Sequence, residues 1–153
     1  ESISATQNFL NALQNYELLK GQSANLFKCF LPQAWKFNGK NGVSALVHPE
    51  GVYNDPNAAN FRKELYTRLR KHFQFQNWFN LFTDVDGHVR FSLNIYSNSP
   101  SSSFESISNL YDIRTIEGSY DKHIKGEVPA LKDSNGKWNV CGHPHRLIQI
   151  KEK

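Results

Sequence analysis

The sequence predicts an α/β fold, and three observations carry that reading. Apolar residues recur at helical spacing over the first third of the chain, a short apolar run Val43–Val47 follows, and His88–Ser97 alternates between apolar and polar side chains. Helix, strand, helix, strand, strand in that order implies helices on a sheet with at least one antiparallel pair.

The elements justify themselves in turn. Ala5, Phe9, Leu10, Leu13 and Tyr16 repeat at helical spacing, and Gly21 can end that helix. A second helix is predicted from Ser23 or Asn25, with Phe27, Phe30, Leu31, Ala34 and Trp35 as its apolar stripe. Pro32 should kink or break it, because proline lacks the donor for the preceding turn. Gly39 and Gly42 close it. Val43–Val47 (VSALV) reads as a strand buried on both faces. Asp55-Pro56 reads as a helix start, a capping side chain and then the first helical position. Phe61, Leu65, Leu69 and Phe73 then step by four along a helix whose other faces carry Arg62, Lys63, Arg68, Arg70 and Lys71. Phe75–Thr83 is aromatic and strand-prone, and Asp86-Gly87 is a turn signal. In His88–Ser97, Val89, Phe91, Leu93 and Ile95 should share one side and Arg90, Ser92, Asn94 and Tyr96 the other. Asn98–Ser103 is polar and serine-rich, hence a loop, and beyond it only short apolar runs such as Arg146–Ile150 appear. We therefore expect two regions: 1–97, with about three strands, and 98–153, a loop-rich extension with short strands.

Composition narrows the class. The 153 residues are 39% hydrophobic and 13% aromatic, which is globular rather than disordered. No apolar run approaches the roughly 18 residues of a membrane span. The net charge of +4 and pI near 9.1 permit contact with nucleic-acid phosphates and equally suit an ordinary domain. The two cysteines, Cys29 and Cys141, lie far apart and suggest no disulfide framework, which points to a cytoplasmic setting. The first residue is Glu1 and there is no Met, so the chain reads as part of a longer polypeptide.

Few residues announce chemistry. Cys141, His143 and His145, with His123 upstream, alternate as zinc ligands on a strand can, but Gly142 and Pro144 make the segment a turn. We read them as polar loop residues and expect no metal. His48, Glu50 and Asp55 follow the first strand, where α/β proteins bind ligands; a solvated loop with a cap explains them equally. Gly39-Lys40-Asn41-Gly42 follows a helix rather than a strand, so it is not a phosphate loop. No serine or cysteine stands in a nucleophile elbow.

The order of segments adds more. Asn25-Leu26-Phe27-Lys28-Cys29-Phe30-Leu31 resembles motif V of the amino-group adenine DNA methyltransferases, roughly Asn/Asp-Leu-Tyr/Phe-x-x-Phe-Leu. Next come a helix ending in glycine, a strand with Pro49 after it, a helix with Arg62 near its start, a strand ending in Phe82, and a partner strand Phe91–Tyr96. That succession is similar to motifs V to VIII, in order, over about Gly21–Ser97. Tyr111–Ile116, Gly136-Lys137-Trp138-Asn139 and Gly142-His143-x-His145-Arg146-Leu147-Ile148 are similar to segments of large methyltransferases of restriction and phage-defence systems. The family's glycine-rich first motif and its Asn/Asp-Pro-Pro-aromatic motif, both normally upstream, are absent, and Pro32 inside motif V is a departure.

The resemblance implies the second half of a Rossmann-like methyltransferase sheet, in which His88–Ser97 inserts antiparallel between Val43–Val47 and Phe75–Thr83. It implies methyl transfer from S-adenosylmethionine to the adenine amino group of DNA by the parent protein. This chain alone would hold no catalytic residue and would not bind the cofactor tightly. Two positions carry over. Phe30 matches the aromatic lining the cofactor's adenine pocket, and Phe82 the aromatic packing on the flipped base. Plain packing explains each as well: Phe30 as core, Phe82 as a sheet cap. Expected partners are DNA, the rest of the parent polypeptide, and a second copy through the Val43–Val47 edge. The rivals are a nucleic-acid-binding module, with Arg62, Lys63, Arg70 and Lys71 on phosphates and Trp78 and Tyr96 stacking, and a non-catalytic protein-interaction module.

Overall fold

The computed structural model describes residues 2–11, 15–22 and 25–152. Leu13 and Ser23, named above as helix residues, lie outside them. Helices are α1 (Ser2–Asn11), α2 (Leu26–Phe37), α3 (Gly51–Asn54), α4 (Ala59–Arg68) and α5 (Arg114–Tyr120). Strands are β1 (Val43–Pro49), β2 (Leu69–Gln76), β3 (Arg90–Ser97), β4 (Ser103–Leu110) and β5 (Ile148–Lys151). They form one mixed sheet in the order β1-β3-β2-β4-β5. The fold is thus mixed α/β, with five strands among the described residues rather than three. Strands from both sides of position 97 enter the same sheet.

β3 pairs antiparallel with β1 through Ala45↔Ile95 and with β2 through Phe73↔Leu93, so β1 and β2 run parallel to each other. The insertion expected for the alternating strand is present, though its second neighbour is Leu69–Gln76 and not Phe75–Thr83. β4 then lies parallel to β2, and β5 antiparallel to β4.

Two apolar clusters sandwich this sheet. On one face Leu31 and Trp35 of α2, Val52 of α3 and Phe61 and Leu65 of α4 pack on Leu69 and Tyr96. On the other, Phe73, Phe75, Phe91, Ile107 and Leu110 gather Ile116 of α5 and Leu147. Asn25 starts α2 by accepting a hydrogen bond from the Phe27 N–H, and the helix continues through Pro32. At its far end the Asn98 side chain donates to the carbonyls of Trp35 and Asn38, satisfying acceptors that a helix end leaves open.

Several expectations need correction. The helix predicted through Phe73 ends at Arg68, and β2 begins at the next residue. Phe61, Leu65, Leu69 and Phe73 are all buried, but the last two face inward from a strand. Arg70 and Lys71 accordingly lie on β2, not on a helix. Val43–Val47 is not buried on both faces: β1 is an edge strand, with Val43 63% and Val47 53% exposed. Asp55-Pro56 does not start α4, which begins at Ala59. Asp55 Oδ2 instead pairs with the buried Lys28 ammonium at 2.5 Å, and Oδ1 accepts from the Asn57 N–H in a local turn. A buried cation needs a partner, and this need claims the carboxylate. β4 escaped notice because its inward positions include Ser106 beside Ile107, which blurs the apolar alternation.

The tail is clamped at a glycine pair. A Cβ added at Gly142 would lie 2.5 Å from both the Cα and the carbonyl carbon of Gly118 in α5. Backbone cannot yield as a side chain can, so Gly142→Ala should destabilise the fold by about 1–3 kcal/mol. A lowered melting temperature checks this; a variant melting with the wild type would show that α5 docks elsewhere.

Candidate functional site

The C-terminal ends of the parallel strands β1 and β2 meet at one rim. β2 runs into a 3-10 turn, Asn77–Phe79, and the chain loops back to β3 at Arg90. Asn77 is fully buried and clasps this loop. Its Nδ2 donates to the carbonyls of Phe82 (2.8 Å) and Val85 (2.6 Å), and its Oδ1 accepts from the Phe82 N–H at 2.9 Å. Asn80 takes a left-handed conformation (φ 51°) that lets the loop reverse. β1 reaches the same rim, since Pro49 stands opposite Phe91 and the Glu50 N–H donates to the Arg90 carbonyl.

Phe82 therefore sits on a clasped loop, not at the end of a strand as expected. Its ring stands edge-on to Phe91 (5.0 Å between centroids, 78°), and Phe91 stacks on Phe75 at 5.4 Å. With 45% of its surface open, it is not core packing.

Beneath the rim, the face of β1, β3 and β2 under α3 holds a polar network. His48 Nδ1 lies 2.9 Å from the Pro49 carbonyl, which can only accept, so Nδ1 carries the proton. Nε2 is then the acceptor, receiving the Tyr96 hydroxyl at 2.8 Å and Asn94 Nδ2 at 2.9 Å. The Tyr53 hydroxyl donates to Asn94 Oδ1 at 2.7 Å. Glu50 takes His72 Nε2 at 3.1 Å and Gln74 Nε2 at 2.8 Å on its two oxygens, and His72 Nδ1 reaches the Ser106 hydroxyl of β4. Burial pushes the His48 imidazole below its ordinary pKa. Burial also opposes charge on Glu50, but hydrogen bonds from His72, Ser92 and Gln74 outweigh it and hold the carboxyl below the usual range. The sequence reading noted His48 and Glu50 only as loop candidates and missed their partners. The available signal was polar residues at alternate positions of adjacent strands, His72 and Gln74 beside Ser92 and Asn94.

The other candidates scatter. Phe30 is 60% exposed while Cys29 and Leu31 beside it are buried, so it stands outside the core stripe of α2. Arg62 donates to the Asp55 carbonyl, and Lys63 is exposed on α4. Arg70 folds back on the Leu69 carbonyl at 2.8 Å. Lys71, on the opposite face from α4, binds Glu105 and the Tyr120 hydroxyl, each at 2.7 Å. These four cations form no single patch. Tyr96 is fully buried and offers no ring to an incoming base. His143 is buried, its Nδ1 accepting from the His145 N–H, while Cys141 is exposed. Among the described residues no group of three potential ligands could hold a metal ion, and no helix is long and apolar enough to cross a membrane.

What the fold and rim define is a mixed α/β chain with an open aromatic at the C-terminal ends of two parallel strands. Neither a family model nor a curated protein matches the chain.

Proposed function

We propose that this chain is the second half of the catalytic domain of an adenine-specific, S-adenosylmethionine-dependent DNA methyltransferase of the restriction or phage-defence type. The observation that carries the reading is the arrangement β1-β3-β2, two parallel strands with an antiparallel strand inserted between them, coupled to the motif order along the chain. In doubly wound α/β proteins ligands bind outside the carboxyl ends of the strands, and that is where Phe82 stands open. Phe82 packs on the face of the flipped adenine, and the exposed ring of Phe30 offers the cofactor's adenine a surface. Here the cofactor supplies the electrophilic methyl group. The adenine amino nitrogen is a poor nucleophile because its lone pair is delocalised, and the groups that would localise it belong to the missing Asn/Asp-Pro-Pro-aromatic motif.

The test is to join this chain to the segment encoded upstream. The joined protein should transfer labelled methyl groups to adenine in DNA, and the upstream segment should carry the Asn/Asp-Pro-Pro-aromatic motif. An upstream frame without that motif, or a folded product inert on adenine, overturns the reading.

The same reading gives β1 a missing neighbour. Among the described residues its outer edge has no strand partner, and Val43 and Val47 leave one of its faces apolar and open. Such edges recruit other chains. The isolated chain should therefore form dimers or larger assemblies through β1, and replacing Val47 by Lys should restore monomers. Light scattering showing a wild-type monomer at high concentration would refute this.

A further inference from the structure

Phe82 is not the only ring displayed by the clasped loop. Trp78 and Phe79 precede it by a few residues and are 45% and 48% exposed. The Asn77 side chain ties the segment that carries them to the carbonyls of Phe82 and Val85. Trp78 is braced from two sides. It stands at 88° to His88 (5.4 Å between centroids) and at 77° to Trp138 (6.1 Å). Trp138 is itself stacked on Tyr111 at 4.5 Å, with the Lys132 ammonium over its ring at 4.7 Å. A segment sixty residues away in sequence thus supports one half-open indole. Bracing of this kind holds a ring rigid without burying it, which is what a stacking platform requires, since little entropy is then lost on binding.

We propose that Trp78 and Phe79 form a second stacking surface, next to Phe82, on which an unstacked DNA base neighbouring the flipped adenine packs. The inference rests on the methyltransferase reading for its ligand. Flipping one base breaks stacking on both sides of it and leaves neighbours with open π faces. Any base has such a face, so the platform is indifferent to sequence. Lys132, held over the Trp138 ring that braces Trp78, supplies a cation for an adjoining phosphate.

The experiment uses the 153-residue chain with a labelled single-stranded oligodeoxynucleotide of twelve nucleotides, read by fluorescence anisotropy at several salt concentrations. Trp78→Ala and Phe79→Ala should each weaken binding about ten- to a hundredfold, whereas Trp78→Phe should retain most of it. The dependence of affinity on salt should stay as in the wild type, because stacking neutralises no phosphate. Melting temperatures recorded alongside should barely move, since both rings are half open. Wild-type affinity in the two alanine variants overturns the proposal. So does a loss confined to the unfolded fraction, or a loss of self-association with DNA binding unchanged. If the wild-type chain does not bind single strands at all, this inference fails, while methylation by the joined protein still decides the reading beneath it. If the joined protein is inert but Trp78 still governs DNA binding, the platform stands and the methyltransferase assignment falls.

Discussion

Phe82→Ala should, on the methyltransferase proposal, slow methylation by the parent protein about ten- to a hundredfold while leaving cofactor affinity nearly unchanged. Losing one stacked aromatic face costs about 1–3 kcal/mol per base, and each 1.4 kcal/mol is tenfold in rate. Phe82 touches Phe91 only edge-on, and nearly half its surface is open. Its removal therefore leaves the Phe75–Phe91 stack in place. Phe82→Tyr and Phe82→Trp keep a π face and should retain much of the rate. A structural role predicts the reverse pattern, with early melting for Ala, poor tolerance of Trp and normal turnover per folded molecule. Turnover measured beside thermal stability separates the two, and early melting with normal turnover would withdraw Phe82 from the site.

Acid should lower the stability of this protein first through His48 and then through Glu50. The folded state holds His48 neutral, both because it is buried and because Nε2 accepts two hydrogen bonds that a second proton would break. Its folded pKa lies below the unfolded value of about 6.5, so in that interval the unfolded chain binds the extra proton. The stabilisation is complete above about pH 6.5 and drains as pH falls through the lower folded value, by up to about 1.4 kcal/mol per pH unit. That corresponds to about 4 °C of melting temperature per unit for a chain of this size. Glu50 acts at lower pH. Its carboxyl is held below the unfolded value of about 4.3, so its contribution is whole above that pH and disappears as the folded pKa is crossed. His48→Gln keeps an acceptor and does not titrate, so it should flatten the melting curve between pH 7 and 5 relative to the wild type. Equal slopes in the two proteins would exclude His48 as the source.

Strand β3 was legible because it alternates strictly, its insertion between two strands was implied by the family resemblance, and alternation reports which side chains share a face. It does not report which face is buried. In β3 the polar side, Ser92, Asn94 and Tyr96, is the one fully enclosed, while Leu93 and Ile95 are only half covered. Hydrophobicity alone therefore gave no sign of the buried polar network on that face. The network depends on partners from β1, β2, β4 and α3 that lie 20–50 residues apart, and no local pattern joins them. The α4–β2 boundary was hidden for a similar reason. Leu69 and Phe73 extend the four-residue spacing of the helix, yet a register shift just after Leu69 puts them on opposite faces of the sheet, and both faces are covered. Phe82 was singled out by its place in the motif order, but the clasp that holds its loop depends on Asn77, which no pattern marked.

The junction between α4 and β2 has a consequence for how this chain can vary in length. Arg68 ends the helix and Leu69 begins the strand with no connecting residue. Slipping β2 by one position would exchange its two faces, driving Phe73 and Phe75 toward His48 and Asn94 and turning His72 and Gln74 into the apolar cluster under α5. Insertions and deletions at that point should be selected against, however small. The stretch 121–137, which carries no helix and contributes to the sheet no strand, can grow or shrink at its turns, such as the one at Gly136, without disturbing register. Homologous chains should differ in length there and hold the helix-to-strand step fixed.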